Sequence, residues 1–423
     1  MARRLYTLLY YCITPFILLR LVFRSIKAPD YSRRIPERFG LFGPLPVNGC
    51  IWLHAVSVGE TVAAEPMVLR LLEQFPATRI LMTTMTPTGS RQVLERFGDR
   101  VLHVYAPYDL PGAVKRFLSQ ARPRLLIIME TELWPNTLHY AGKFGIPVVL
   151  ANARLSARSA RGYQRFGQLA AGMMTSLSAV AAQHEADGQR FLELGLAPER
   201  LTVTGSIKFD LVLNETIREQ ARELKARWLA QGKRFIWIAA STHEGEDELL
   251  LAAHGQLLQH RPEALLVLVP RHPERFNTVA QRVQRSGFSV QRRSDGVDPT
   301  AETSVLLGDT MGELLLLYGC ADAAFVGGSL VDRGGHNMLE PAAWGIPLVT
   351  GRSDFNFQAI SAALQQAGAL TQVDDEQALT EWISMMAGDE SARRQCGHVA
   401  ESVVAANRGA LDELMEVIRP FLQ

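Results

Sequence analysis

The chain has 423 residues, of which 47% are apolar and 21% are charged. This length exceeds what one hydrophobic core supports, and the apolar content excludes a disordered chain, so we predict two globular domains. The 44 Lys and Arg residues nearly balance the 43 Asp and Glu residues, which leaves a net charge of +1. That balance excludes the strongly basic surface of a nucleic-acid-binding protein.

The amino-terminal segment departs from this balance. Residues 1–40 hold eight basic and two acidic side chains, and within them runs an uncharged stretch from Leu5 to Leu19 that reaches Phe23 if Arg20 snorkels. The stretch ends without the small-residue cleavage site of a signal peptide, so we predict that it is retained. A buried first helix of a globular domain is the alternative.

Three tyrosines flanked by arginines favour a membrane interface over that alternative. We therefore predict that residues 1–30 form a membrane anchor, with the body of the protein on the cytoplasmic face because the larger basic cluster follows the apolar run. The tyrosines are Tyr6, Tyr10 and Tyr11.

Beyond residue 50, short apolar runs alternate with amphipathic stretches of helical length, which predicts parallel sheets with crossover helices. The first seven predicted strands are 51–56, 80–84, 101–105, 125–129, 148–151, 179–182 and 201–204. After a polar helical segment the pattern resumes with strands at 235–240, 265–269, 305–307, 323–326 and 347–349. We predict an α/β protein with Rossmann-like domains over 31–213 and 214–423, facing each other across a short hinge near 206–216.

The four cysteines have no C-x-x-C spacing, which favours a reducing compartment over a zinc site or disulfide framework. They are Cys12, Cys50, Cys320 and Cys396.

In open α/β sheets, ligands bind beyond the carboxyl ends of the strands, so the residues that follow each strand are the candidates for function. Glu60 follows the first strand and the tight turn at Gly59, where its carboxylate can take a proton or merely complement a helix dipole. Glu130 comes directly after the apolar strand LLIIM and is the stronger candidate there, ahead of Glu132. Lys208 can reach an anion or form a surface ion pair with Asp210 or another nearby acid.

The second half carries a similar set of residues. Ser241 and Thr242 follow its first strand, where hydroxyls cap a helix or bind phosphate. Arg271 follows Pro270 at the end of the next strand, a plausible clamp for phosphate or carboxylate. A glycine-rich stretch then runs into a short helix with Glu340, whose carboxylate can bind two vicinal sugar hydroxyls.

The sequence holds neither G-x-G-x-x-G nor the Walker pattern, which disfavours redox cofactors and P-loop hydrolysis. It also lacks D-x-D, which disfavours an acidic site that binds diphosphate through a metal. We therefore predict no metal and no cofactor, with the charge of a leaving phosphate met by Arg271, Lys208 and helix starts.

These residues lie within motifs that resemble the 3-deoxy-D-manno-octulosonic acid (Kdo) transferases of Gram-negative lipopolysaccharide assembly. The resemblance spans essentially the whole chain. Its motifs are HAVSVGE (54–60), METELWPN (129–136), GSIKFD (205–210), VPRHPERF (269–276), DTMGEL (309–314) and GGHNMLEPAAWGIP (334–347).

The resemblance implies a GT-B glycosyltransferase at the cell inner membrane that moves Kdo from CMP-Kdo to a phosphorylated lipid A precursor, lipid IVA. It implies that Glu60 is the general base of an inverting reaction and that Glu130 and Lys208 stabilise the transition state. The residues implied to hold CMP are Pro270, Arg271, Met311, Gly312, Glu313, Asn337, Met338, Leu339 and Glu340, with Glu340 on the ribose.

Two alternatives differ in class. One is a GT-B enzyme that uses a UDP-sugar, either a lipid-linked N-acetylglucosamine transferase or an epimerase, although a soluble epimerase would not need the apolar run. The other is a bilobal solute-binding protein, which would require export and therefore a cleavage site.

Overall fold

The computed structural model describes residues 2–43, 49–211 and 213–423. It divides into two compact units, one formed by the chain up to Asp210 together with Arg408–Gln423 and the other by Leu211–Asn407. Each unit contains one parallel sheet of seven strands flanked by helices. The predicted α/β class with two Rossmann-like domains is confirmed.

The strands and helices of the first unit are β1 (Ile51–His54), β2 (Ile80–Thr84), β3 (Leu102–Tyr105), β4 (Leu125–Met129), β5 (Val148–Ala153), β6 (Ala179–Ala182), β7 (Leu201–Val203), α1 (Ala2–Lys27), α2 (Val58–Gln74), α3 (Pro87–Phe97), α4 (Pro111–Ala121), α5 (Pro135–Lys143), α6 (Ala157–Gln164), α7 (Gly167–Ser176), α8 (Glu185–Glu193) and α17 (Ala410–Ile418).

The strands and helices of the second unit are β8 (Phe235–Thr242), β9 (Ala264–Pro270), β10 (Val290–Arg292), β11 (Val305–Leu307), β12 (Ala323–Val326), β13 (Leu348–Thr350), β14 (Leu370–Gln372), α9 (Glu215–Ala230), α10 (Asp247–His260), α11 (Phe276–Arg285), α12 (Leu314–Cys320), α13 (Leu339–Ala343), α14 (Gln358–Gln366), α15 (Glu376–Gly388) and α16 (Glu390–Ala406).

The first sheet has the strand order β3-β2-β1-β4-β5-β6-β7. The central strands β1 and β4 are buried along their whole length because helices cover both faces of a parallel sheet. In register, Ile51 lies beside Ile80 on one side and Leu125 on the other. The strand order reverses direction between β1 and β4, which places a ligand-binding crevice at their carboxyl ends.

The second sheet has the order β10-β11-β9-β8-β12-β13-β14, and its reversal lies between β8 and β12. The sequence analysis missed β10 and β14. Both have three residues and form the two edges of the sheet, where at least one face is open and the apolar run is short. Each of these two strands has a single apolar residue, whereas the three-residue edge strand β7 has two and was predicted.

The carboxyl terminus departs from the domain division expected from the sequence, which assigned all of 214–423 to the second domain. Residues 408–423 group with the first unit instead. The apolar face of α17 packs into the core beneath the first sheet, where Leu411, Leu414 and Ile418 join Leu53 and Ile207. Burial of that face explains why the chain returns to the first unit after α16.

Helix α1 contains 26 residues and is about 39 Å long at 1.5 Å per residue. One side packs on the first unit, where Leu21 is buried against Tyr108 and Leu110. It is the one helix of the described residues that is long and apolar enough to cross a membrane. A long core helix of a soluble protein can meet the same criterion, but this helix is mostly unburied.

Candidate active site

The carboxyl edge of the first sheet brings together the acids predicted from the sequence. Glu60 follows β1 and Glu130 follows β4, so the two residues flank the point where the strand order reverses. The negative charges of Glu132 and Glu130 both raise the pKa of Glu60, which places the three carboxylates in one neighbourhood. A cluster of this kind is costly unless some members are protonated or paired with cations.

Glu60 is held firmly at the start of α2. Its Oε2 accepts a hydrogen bond from the Val56 N–H at 2.9 Å, and its Oε1 accepts one from the Ser57 hydroxyl at 2.8 Å. Burial raises the pKa of Glu60 from its ordinary value of 4.5 to about 7, although these hydrogen bonds oppose the shift. The carboxyl group therefore exchanges a proton near neutral pH, as a general base must.

Glu130 lies beside two cations. Its Oε2 lies 2.8 Å from the Arg154 Nε, and its Oε1 lies 3.4 Å from the Lys208 Nζ. The backbone of Glu130 is left-handed, with φ of +55°, a conformation that costs free energy in a residue with a Cβ and is concentrated at functional sites. This strained turn aims the carboxylate at Lys208, which follows β7.

Lys208 pairs with Glu130 and not with Asp210, which corrects one of the two partners considered from the sequence. Asp210 instead accepts hydrogen bonds from the N–H groups of Gly409 and Leu411, at 2.7 and 2.6 Å. It thereby caps α17, whose own cap residue provides no side-chain acceptor. The ammonium of Lys208 is left with one carboxylate partner and a partly exposed face.

The candidate nucleotide residues of the second unit lie at or after the carboxyl ends of four neighbouring strands, β11, β9, β8 and β12. Ser241 and Thr242 are the last two residues of β8, which corrects the prediction that they follow it. Close approach of the backbone at the reversal requires glycine, because a Cβ added to Gly327 would lie 2.6 Å from the carbonyl oxygen of Ser241. Ser241 has a left-handed φ of +57°. The loops after β8 and β12 are therefore fixed against each other.

A buried carboxylate ties these loops together. Glu246 is fully buried and accepts hydrogen bonds from four backbone N–H groups at 2.8 to 3.1 Å. Burial nevertheless raises its pKa. The donors are His243, Gly328, Ser329 and Leu330. Glu246 therefore holds the backbone of these loops in place. Because its oxygens are occupied by N–H groups, the nearby cations can bind a ligand instead.

The charge of Arg271 acts on Glu340. The Arg271 side chain is exposed at the end of β9, and its charge opposes the rise that burial causes in the pKa of Glu340. The amide of Asn337 donates to Glu340 Oε1 at 3.0 Å and so orients that carboxylate. A guanidinium beside an oriented carboxylate is suited to a phosphate and a neighbouring diol.

Other predicted donor residues have different surroundings. The buried Thr242 hydroxyl donates to Asp247 at 2.8 Å, and the assignment of Thr242 to a phosphate site stays a prediction. Met338 and Leu339 are also buried, which leaves only their backbone for a ligand. Glu313 forms two hydrogen bonds with Arg293, at 2.8 and 3.1 Å, whereas the Met311 side chain is 70% exposed.

Comparison with known proteins identifies the family. Residues 33–211 match the family model described as 3-deoxy-D-manno-octulosonic-acid transferase. A 3-deoxy-D-manno-octulosonic acid transferase from Haemophilus influenzae is 44% identical over 100% of this chain and 99% of its own length. The enzyme of that name from Bordetella pertussis is 37% identical over 100% of both chains.

The chain belongs to the Kdo transferase family. It is a glycosyltransferase of lipopolysaccharide biosynthesis, and the sequence resemblance is confirmed. Solved structures supply the fold. A UDP-GlcNAc 2-epimerase from Neisseria meningitidis superposes on 88% of this chain and 99% of its own with a TM-score of 0.56, at 15% identity. At that identity the likeness concerns the GT-B fold alone.

Three residues of this Kdo transferase escaped the sequence analysis. Arg154 pairs with Glu130 across 24 positions of sequence, and Asn152, buried with φ of +51°, accepts the N–H of Ile207 next to Lys208. Asp109 is buried and accepts hydrogen bonds from the backbone of Asn136 and Thr137 at the start of α5. Asn152 and Arg154 lie at the carboxyl end of β5, and this position is the signal by which the sequence could have identified them.

The Kdo transferase has no group of three or more His, Cys, Asp or Glu side chains arranged to hold a metal ion within residues 2–43, 49–211 and 213–423. Its four cysteines are free thiols.

Proposed function

We propose that this Kdo transferase moves Kdo from CMP-Kdo to the phosphorylated lipid A precursor lipid IVA, with inversion at the anomeric carbon and without a metal. The observation that carries the proposal is the Glu60 carboxyl, held by two hydrogen bonds and with its pKa raised by burial to about 7. The whole-chain identity to Kdo transferases supports the sugar that is transferred.

In the proposed reaction, Glu60 takes the proton of an acceptor hydroxyl while that oxygen bonds to the anomeric carbon and the bond to the CMP phosphate breaks. A sugar hydroxyl is a poor nucleophile, and a positioned base accelerates such a step by about 10²- to 10⁴-fold. Inversion requires the attacking oxygen and the leaving phosphate on opposite faces of the anomeric carbon.

Glu130 and Lys208 would stabilise charge in the transition state. One carboxylate oxygen of Glu130 lies 2.8 Å from the Arg154 Nε, which fixes the side chain. The other oxygen lies 3.4 Å from the Lys208 Nζ, so it can hold that ammonium in place without fully neutralising its charge. A positioned ammonium stabilises the negative charge of a Kdo carboxylate or a departing phosphate. Glu130 thus positions Lys208, and Lys208 meets the substrate.

The donor would bind at the carboxyl edge of the second sheet. Arg271 would hold the phosphate, Glu340 would accept hydrogen bonds from the ribose hydroxyls, and Asn337 would keep Glu340 in place. Met311, Gly312 and Glu313 would contribute backbone N–H groups, because the Glu313 carboxylate is already engaged by Arg293. Pro270, Met338, Leu339 and Ser241 would shape the pocket through their backbone.

We infer that α1 attaches the protein to the cytoplasmic face of the inner membrane. Arg3 and Thr7 donate to the Asn136 side chain at 2.8 and 3.1 Å, so one side of α1 is docked on the first unit. The opposite side presents ten large apolar side chains that are at least half exposed, a patch that favours a lipid surface. They are Leu5, Leu8, Leu9, Tyr11, Ile13, Phe16, Leu19, Val22, Phe23 and Ile26.

Attachment is tested by flotation of the full chain with anionic lipid vesicles. The double variant Leu8→Glu/Phe16→Glu should leave the vesicle fraction, because two charges enter the apolar face. Leu94→Glu on α3, also an exposed leucine of the first unit, is the matched control and should float like the wild type. Equal flotation of all three proteins would contradict attachment through α1.

Transfer is tested with purified chain, labelled donor and vesicles that contain tetraacylated lipid A precursor. Label should enter the lipid extract from CMP-Kdo and not from UDP-N-acetylglucosamine. Incorporation from the UDP-sugar alone would replace the proposal with the UDP-sugar alternative. Hydrolysis of CMP-Kdo with no labelled lipid would remove lipid IVA as the acceptor.

A further inference from the structure

Two histidines meet at the carboxyl edge of the second sheet, and the mechanism above does not use them. The Nε2 atoms of His243 and His336 are 2.8 Å apart, the ring planes differ by 5°, and the centroids are 5.1 Å apart. Because two rings joined in line through their Nε2 atoms have this centroid separation, the rings lie edge to edge and share a hydrogen bond. One ring donates its Nε2–H and the other accepts it.

The backbone fixes this histidine pair from both sides. The His243 N–H donates to the buried Glu246 at 2.9 Å, and the loop that carries His336 is tied down by the Gly335 N–H, which donates to the Gly328 carbonyl at 2.8 Å. The two imidazoles cover Gly328, where an added Cβ would lie 3.1 Å from His336 and 3.4 Å from His243. The loops after β8 and β12 therefore determine the geometry of the pair.

The charges that face the pair are mostly positive. Arg271, His272 and Arg275 approach from the segment after β9, and Arg333 approaches from the loop after β12. The Glu246 carboxylate is occupied by backbone N–H groups, and Asp247 pairs with Arg275. Burial raises the pKa of Glu340, and the charge of Arg271 opposes that rise. Both imidazoles are partly exposed. A partly open pair among cations is a place for an anion.

Burial first, and then these neighbouring cations, lower the pKa of His243 and of His336 to about 4. Both imidazoles are therefore neutral at pH 7. An anion placed against it would offset both effects and favour protonation.

We propose that the His243–His336 pair binds the anionic part of the nucleotide-sugar donor beside Arg271 and takes up one proton from solvent when it does so. This inference rests on the proposed donor. The proton adds to the free Nδ1 of the ring that donates the Nε2 hydrogen bond, so the bridge between the rings stays intact. A second proton would place hydrogens on both Nε2 atoms and break the bridge, which limits uptake to one. Release of the anion returns that proton to solvent.

The test uses the full chain and the methyl phosphodiester of CMP, whose phosphate keeps one negative charge from pH 5 to pH 8 and contributes no titration. Calorimetry at pH 6 in two buffers of different ionisation enthalpy measures the protons taken up. Uptake should approach one proton for each ligand. Affinity should weaken as pH rises above 5, by at most about tenfold per pH unit for one linked proton.

The variants His243→Gln and His336→Gln keep a hydrogen-bonding side chain but cannot gain charge. Each should bind more weakly at pH 6 and lose the proton uptake. His398→Gln, an exposed histidine on α16, is the matched control and should retain both properties. Unchanged uptake in the two pair variants would overturn the proposal.

A measurement on the wild type tests the proposal even if the variants fail to fold. NMR titration of the imidazole signals should show the pKa of the pair rising when the phosphodiester binds. Binding with no rise and no proton uptake overturns the role of the pair while leaving the donor site intact. No binding of the phosphodiester at any pH would instead overturn the proposed CMP donor.

Discussion

Replacement of Glu60 by Gln separates a catalytic base from a helix-capping residue. Gln keeps an oxygen that can accept from Val56 N–H or from the Ser57 hydroxyl, so the start of α2 should survive. A pure cap would therefore lose little when it becomes Gln. A base loses its ability to take a proton, and we expect the transfer rate to fall by about 10²- to 10⁴-fold.

The same substitution should change how stability depends on pH. Burial raises the pKa of Glu60 in the folded protein to about 7, above the ordinary value of 4.5. The stability that the protonated carboxyl contributes is therefore fully present below pH 4.5 and is lost as pH rises through 7. At about 1.4 kcal/mol per pKa unit, the wild type loses about 3 kcal/mol from this group over that window. Gln does not titrate, so the variant should avoid that loss.

Urea unfolding of wild type and Glu60→Gln at pH 5 and pH 8 measures this difference, because contributions from other groups cancel between the two proteins. The free energy of unfolding of the variant, relative to the wild type, should rise by about 2–3 kcal/mol between the two pH values. A transfer rate within threefold of the wild type would exclude Glu60 as the base, and a stability difference independent of pH would exclude a raised pKa for its carboxyl.

Three further predictions concern other groups. Lys208→Met should lower the transfer rate by about 10²-fold or more and leave CMP affinity unchanged, as measured by initial rates and calorimetry; an unaffected rate would remove Lys208 from the transition state. Asp210→Ala should destabilise the first unit by about 2–3 kcal/mol, because the two hydrogen bonds with which Asp210 caps α17 are lost. The loss should expose residues 408–423 to limited proteolysis, and unchanged cleavage would contradict the role of Asp210 as the cap. Excess EDTA should leave the transfer rate unchanged, and a strict requirement for added divalent cation would contradict a charge scheme built on Arg271 and Lys208.

The central strands could be predicted because a parallel strand buried on both faces is a continuous apolar run, as in LLIIM at β4. The edge strands β10 and β14 could not, because each has one apolar residue among its three, whereas the edge strand β7, with two, was predicted. The return of α17 to the first unit also lay beyond the sequence. Its apolar face predicts burial but not which sheet it covers.

The candidate site could be predicted in part, because charged residues follow several of the buried strands. Glu60, Glu130 and Arg271 each come directly after a buried strand or the turn that follows it. Their partners were not predictable, because ion pairs such as Glu130 with Arg154 depend on which strands are neighbours. Glu246 shows the same limit, since three of its four N–H donors lie more than 80 residues away.

The division of roles between the two units is tested by CMP affinity and transfer rate in Glu60→Gln and in Arg271→Met. In the proposed mechanism, the first unit removes the proton and the second binds the donor. Glu60→Gln should therefore keep the CMP dissociation constant within about twofold while transfer falls at least about 10²-fold, and Arg271→Met should weaken CMP binding. Loss of CMP affinity in Glu60→Gln, or unchanged affinity in Arg271→Met, would contradict this division of roles.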